Sequence, residues 1–249
     1  MDAVLAAAAL APGLALGSFL NVVAARVPQR RSVADGRSAC LHCGAEIAWR
    51  DNVPLLSYVL LRGRCRACGA RIGWLYPAVE LAAALLVAGC VLAWGLSVDA
   101  LVAACFCLVL VALSAADIRY RLVPNRIVLP AVAVVLAAQT ALHPSVEWAA
   151  GGLGAAAFLL LAALAYPKGM GMGDVKLALL LGAMLGRSVT VGLMLALVSA
   201  LVPSLVLFAR HGTAARKMAI PFAPFLCLGA VVALFWGREL LDAYLDALR

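Results

Sequence analysis

Hydrophobic residues run in long unbroken stretches along this chain, without the alternation of apolar and polar positions that marks a half-buried strand. Eight such stretches stand out, over residues 3–25, 77–96, 98–116, 127–142, 149–166, 175–187, 189–209 and 221–237. About 20 apolar residues in a helix cross a bilayer core. The stretches at 127–142 and 175–187 fall short of that, so they are expected to tilt little, to borrow flanking residues or to re-enter. The pattern predicts an all-α polytopic membrane protein with about eight transmembrane helices. The first stretch begins Met1-Asp2 with no basic segment ahead of it and continues past Asn21, so it is expected to stay as a helix and not to be a cleavable signal peptide.

Composition sharpens this picture. Of 249 residues, 66% are hydrophobic and 13% charged, against about 45–50% and about 25% in soluble domains. So little polar surface excludes a globule in water. The charges are also sorted: 17 of the 20 Lys and Arg fall in 26–76, 117–126, 167–176 and 210–217, leaving only Arg187, Arg238 and Arg249 for the intervening turns and the C-terminus. The latter side carries acids instead, Asp2, Asp99, Glu147, Glu239, Asp242 and Asp246. Basic loops remain cytoplasmic, so both termini are expected outside and the basic segments inside. The net charge of +8 reads as membrane orientation, and no nucleic-acid surface is expected.

One water-facing segment is large enough to fold. It contains Cys40-Leu41-His42-Cys43 and Cys65-Arg66-Ala67-Cys68, 21 residues apart, each pair followed by a glycine, Gly44 and Gly69. Two CxxC knuckles at this separation point to a tetrahedral four-cysteine Zn2+ site with Cys40, Cys43, Cys65 and Cys68 as metal ligands. Two disulfides are the alternative, disfavoured in the reducing cytoplasm where the charge count puts this loop. Four protein ligands leave no open position, so the ion is expected to be structural, organising a loop too small for its own core. His42 is read as a bystander. Cys90, Cys105, Cys107 and Cys227 lie in apolar stretches and are read as small buried hydrophobes.

Carboxylates inside spans cost about 2.5–3.5 kcal/mol at mid-membrane, so they mark functional positions. Asp117 ends the third stretch and Asp174 opens the sixth, both near the cytoplasmic end; Glu80 lies one turn inside the second. Two carboxylates at one depth can share a proton and activate a water molecule against a carbonyl, the chemistry of an aspartic protease. The alternating Gly169, Gly171 and Gly173 ahead of Asp174 would let an extended peptide backbone approach, or would serve helix packing. A proton-coupled transporter also needs membrane carboxylates, although no inverted repeat is apparent, and a non-catalytic zinc-loop scaffold stays open. Glu80 is read either as functional or as pairing with an arginine of the loop or capping at the interface. Asn21 is expected to bridge helices, and Lys176 either to snorkel at the cytoplasmic end or to tune the aspartate pair electrostatically.

Several separate segments resemble the type IV prepilin peptidases, the GxGD membrane aspartic proteases. These are Gly17-Ser18-Phe19-Leu20-Asn21-Val22-Val23, Asp51-Asn52-Val53-Pro54-Leu55-Leu56-Ser57, Leu60-Leu61-Arg62-Gly63-Arg64-Cys65, Tyr76-Pro77-Ala78-Val79-Glu80, Asp117 with Pro124, Gly171-Met172-Gly173-Asp174 and Ile220-Pro221-Phe222-Ala223-Pro224-Phe225. The resemblance implies Asp117 and Asp174 as catalytic residues. It implies prepilin or pseudopilin precursors as substrates, cut after a glycine to release a basic leader, with pilus or type II secretion machinery as partners. It also implies N-methylation of the new terminus with S-adenosylmethionine, for which the sequence shows no independent cofactor fingerprint. The division expected is 1–27 as the first transmembrane helix, 28–76 as the cytoplasmic zinc loop and 77–249 as the peptidase domain, in the bacterial inner membrane. Two departures stand out: Ala223 replaces a glycine, and Arg119-Tyr120-Arg121 replaces a segment that is more acidic or apolar in the family.

Overall fold

The structure, a computed structural model, describes residues 2–34, 36–166, 170–212 and 220–247. Gly169, Lys168, Arg216, Lys217 and Arg249, used above for the glycine alternation and the charge count, lie outside them. The secondary structure among the described residues is helical apart from two isolated β-bridges in the cysteine loop. The helices are α1 (Asp2–Arg26), α2 (Leu56–Leu60), α3 (Leu75–Trp94), α4 (Val98–Tyr120), α5 (Asn125–Leu142), α6 (Glu147–Ala165), α7 (Met172–Leu185), α8 (Val189–His211) and α9 (Ala223–Ala247).

Among the described residues, seven helical stretches are long and apolar enough to cross a membrane. The eight hydrophobic stretches and these seven agree once the longest, Met172–His211, is resolved into α7 and α8 around a short turn at Gly186–Ser188. Gly186 has φ +56, a left-handed conformation that ends α7 and that most residues with a Cβ avoid. α7 has 14 residues, about 21 Å at the helical rise, and so keeps the shortness seen in the sequence. α9 runs ten residues past the apolar stretch that announced it, to Ala247, because helix formation does not stop where hydropathy does.

The described residues fall into two compact units, Met1–Arg119 and Tyr120–Arg249. In the first, α1 packs along α3 with backbones in close approach. A Cβ on Gly13 would stand 2.6 Å from the Ala84 Cα, and one on Gly17 would stand 2.6 Å from the Glu80 Cα. Gly13 and Gly17 are four apart, one turn of the same face, which is the small-residue spacing that lets membrane helices touch. Ala24, Val79, Ala115 and Ala116 form the buried cluster at the loop end of this unit, with Leu20, Leu75 and Val111 around it.

The second unit repeats the device. α6 meets α7 where Gly151 and Gly152 face Gly182 and Gly186, and α8 meets α9 at Gly192 and Gly229. With lipid as apolar as the side chains, such close packing supplies most of the drive for helix association. Polar ties add register: Gln139 Nε2 donates to Met184 Sδ at 3.0 Å between α5 and α7, and Trp148 Nε1 donates to the His143 carbonyl at 2.7 Å.

Candidate active site and cysteine cluster

The cysteine loop is built from two copies of one turn. In the first, the Gly44 N–H donates to the Cys40 carbonyl and the Cys40 N–H to the Ala45 carbonyl, both at 2.9 Å. In the second, Gly69 donates to Cys65 at 2.9 Å and Cys65 to Ala70 at 2.8 Å. Gly44 and Gly69 both sit at φ +70 with open space where a Cβ would be. Backbone conformation alone therefore calls for glycine here. Each knuckle is closed behind by one β-bridge, Ala39 to Glu46 and Arg64 to Arg71.

The two turns bring the four sulfurs together. Zinc–sulfur bonds of about 2.3 Å in a tetrahedron set neighbouring sulfurs about 3.8 Å apart. Cys40 Sγ and Cys68 Sγ lie 3.8 Å apart, and all four Sγ atoms lie within 4.8 Å of one another. The cluster fits a structural zinc site, and the four cysteines are free of disulfides. The Cys43 and His42 backbone N–H groups hold the Cys40 thiol down to about 6, favouring the thiolate that a metal needs. The Ala70 N–H works in the same direction on Cys68, but hydrogen bonding with Cys43, burial, and hydrogen bonding with Cys65 and Cys40 push it up to about 11. Four thiols this close resist releasing all their protons without a cation among them. His42 is exposed and contributes its backbone only.

The remaining cysteines divide. Cys90, Cys107 and Cys227 are buried, as read from the sequence, whereas Cys105 is exposed. At about 100° per residue, Cys105 and Cys107 point to different faces of α4, and composition alone does not separate them.

Within the loop, the Arg66 guanidinium forks onto Asp51, Nε to Oδ2 at 2.8 Å and Nη2 to Oδ1 at 2.6 Å. This pair holds the Asp51 carboxyl below the usual carboxylate range. Glu80 Oε2 accepts the Leu55 N–H at 2.9 Å. The capping reading of Glu80 holds. Its loop partner is a backbone N–H and not an arginine.

Asn21 is buried and bridges helices: its Nδ2 donates to the Tyr76 carbonyl at 3.0 Å, and Arg119 Nη2 donates to its Oδ1 at 3.3 Å. The Arg119 guanidinium also lies over the Tyr76 ring, 4.3 Å from its centre, a cation–π contact. Arg119 was visible in the sequence only as a departure in a motif, and its anchoring partners were not.

Asp117 lies in the last turn of α4 and is 6% exposed. Asp174 is the third residue of α7, after Gly171 as N-cap, and is half-buried. Its N–H donates to the Gly171 carbonyl at 3.1 Å, and a carboxylate in this first turn benefits from the positive end of the helix dipole. Gly173 has a spatial reason: a Cβ there would stand 2.9 Å from the Val123 Cβ. Lys176 is tied more firmly than snorkelling requires, its Nζ donating to Asn125 Oδ1 at 2.9 Å and joining the starts of α5 and α7. Asp117 belongs to the first compact unit and Asp174 to the second.

Glycine-packed apolar helices, a four-cysteine cluster that fits a structural zinc site and carboxylates at helix ends define a multi-pass membrane protein. Residues 12–94 match the bacterial peptidase A24 N-terminal domain and 104–209 the type IV leader peptidase family. The chain is 34% identical over 243 residues to a prepilin leader peptidase/N-methyltransferase of Bacillus subtilis strain 168, covering 94% of this chain and 95% of that protein. Proteins of the same name from Xanthomonas campestris pv. campestris and Pseudomonas aeruginosa are 33% and 34% identical, over 96% and 94% of this chain and 93% and 91% of theirs. No solved structure matches. The chain belongs to the type IV leader peptidase family and is a membrane peptidase.

Proposed function

We propose that this chain is an aspartic endopeptidase that removes the basic leader from type IV prepilin-like precursors at the cytoplasmic face of the bacterial inner membrane, and that it N-methylates the amino terminus so released. The observation that carries this reading is near full-length similarity to proteins named for both activities, in a chain that keeps Asp117 and Asp174 within segments resembling the family's aspartate motifs. The organisation that goes with it is a first transmembrane helix over 1–27, a zinc loop over 28–76 and a peptidase domain over 77–249, with pilus or type II secretion machinery receiving the product. The charge asymmetry of the loops supports the orientation.

In this mechanism Asp117 and Asp174 share one proton. The ionised carboxylate takes a proton from water as the oxygen attacks the scissile carbonyl, and the protonated one donates to the carbonyl oxygen. The proton belongs to the pair, so neither residue holds a permanent role. The precursor's apolar helix stays in the bilayer and delivers the bond to the depth of the aspartates. Cys40, Cys43, Cys65 and Cys68 would hold the zinc ion, which with four protein ligands would order the loop and take no part in the cleavage. The methylation reading, with S-adenosylmethionine as the methyl donor, rests on the relatives' names and the resemblance.

The test is leader release by purified protein in lipid, with Asp117→Asn and Asp174→Asn alongside. Cleavage by the wild type and by neither variant, both remaining folded with zinc bound, is expected. Cleavage retained by either variant overturns the assignment.

A further inference from the structure

The cysteine loop cannot leave the bilayer surface. It is tied at one end to α1, which ends at Arg26, and at the other to α3, which begins at Leu75. On it α2 presents Leu56, Val59 and Leu60 to the outside, 54%, 69% and 71% exposed. These positions are spaced i, i+3, i+4 and form one stripe, while Ser57 on the other side is buried and donates to the Arg50 carbonyl at 3.0 Å. Trp49 before α2 and Trp74 at the start of α3 are 79% and 69% exposed. These five exposed apolar side chains on so small a module call for a cover.

The charges around them say which. Arg37 and Arg66 pair with Glu46 and Asp51. Arg30, Arg31, Arg62, Arg64 and Arg71 are exposed and form no ion pair among the described residues. Exposed tryptophans beside arginines suit the headgroup layer, where the ring sits at the boundary and the guanidinium binds phosphate.

We propose that the α2 stripe, with Trp49 and Trp74, docks into the headgroup layer of the bilayer, and that the unpaired loop arginines bind anionic phospholipid there. α2 then lies in the membrane surface as a short amphipathic foot. Charge complementarity and the two membrane tethers favour lipid over a peptide as the occupant. The inference does not depend on the peptidase chemistry.

The experiment uses the full-length, zinc-loaded protein in nanodiscs of phosphatidylcholine alone, or with roughly one third phosphatidylglycerol. Amide hydrogen exchange is followed across 55–61. Exchange at least about fivefold slower in the anionic discs is expected, with the difference lost at high salt. An Arg62→Gln/Arg64→Gln/Arg71→Gln variant should lose the lipid dependence while keeping its zinc. Val59→Ser, a single exposed change, should reduce the protection and serves if the triple variant loses metal. Equal exchange in the two lipids overturns the proposal. So does protection that appears only when a leader-bearing precursor is added, irrespective of lipid, which would give the stripe to the substrate.

Discussion

Glu80 Oε2 accepts the backbone N–H of Leu55 at 2.9 Å, so a carboxylate one turn inside a membrane helix holds the N-cap residue of the short loop helix α2. Leu55 sits at φ +57 and ψ −47 as the N-cap of α2, a positive-φ conformation that residues with a Cβ avoid. The hydrogen bond helps to hold it there. Gly17 of α1 packs against the backbone of Glu80, so three parts of the first unit meet at this residue.

Glu80→Ala should therefore loosen α2 without emptying the cysteine cluster, since none of the four thiols touches it. Leaving the Leu55 N–H without its acceptor costs about 1–3 kcal/mol locally. Hydrogen exchange across 55–61 should rise while zinc content stays constant. Glu80→Gln, which keeps an acceptor oxygen, should fall between the two. Loss of zinc in Glu80→Ala would show that the loop depends on this contact more deeply.

The glycines separate into two kinds with opposite consequences. Gly44→Ala or Gly69→Ala meets no neighbouring atom, so its cost is the left-handed conformation, about 1–2 kcal/mol. That change should raise zinc release and leave the helices intact. Gly17→Ala puts a Cβ 2.6 Å from the Glu80 Cα, and backbone cannot yield as a side chain tip can. Forced apart, α1 and α3 should lose about 1–3 kcal/mol, seen as lower thermal stability in detergent. If Gly44→Ala proves the more damaging to the helices, the packing account of Gly17 is wrong.

Much of this was legible before the structure. Apolar runs gave the helices because a bilayer imposes length and composition on whatever crosses it. The knuckles gave the cluster because ligand spacing and left-handed glycines are local. Asn21 as a helix bridge followed from the expense of an amide in a span. What stayed hidden was the identity of partners distant in sequence. Nothing local says that Glu80 takes a backbone N–H in place of an arginine, or that Arg119 rests on Tyr76. The turn between α7 and α8 was partly visible as an interruption, but the left-handed Gly186 at its start was not.

The Asp51–Arg66 fork gives the loop a pH dependence whose sign can be stated. Arg66 depresses the Asp51 carboxyl, so the pair's contribution is present above the ordinary carboxylate range and is lost as pH falls through the depressed value. At pH about 7 Asp51→Asn should release zinc to a chelator faster than the wild type. In the metal-free protein, where acid cannot act through the thiols' loss of zinc, the difference in amide exchange across the loop should shrink toward zero once the medium is acidic enough to protonate the wild-type carboxyl. A ratio constant across the range would mean that Asp51 acts through packing and not through its charge.

Arg119 makes the most exposed bet, because it couples helix packing to a proposed catalytic residue. Its guanidinium joins Asn21 of α1 at 3.3 Å and the Tyr76 ring of α3 at 4.3 Å, two residues beyond Asp117 at the end of α4. A fork that bonds an amide and stacks on a ring is not reproduced by an ammonium. Arg119→Lys should therefore behave more like Arg119→Gln than like the wild type. If the fork holds Asp117 in place, the loss should fall on kcat with KM little changed. A displacement of about 1 Å in such a group costs up to about a hundredfold. Full activity in Arg119→Lys would show that the positive charge, and not the fork, is what this helix end requires.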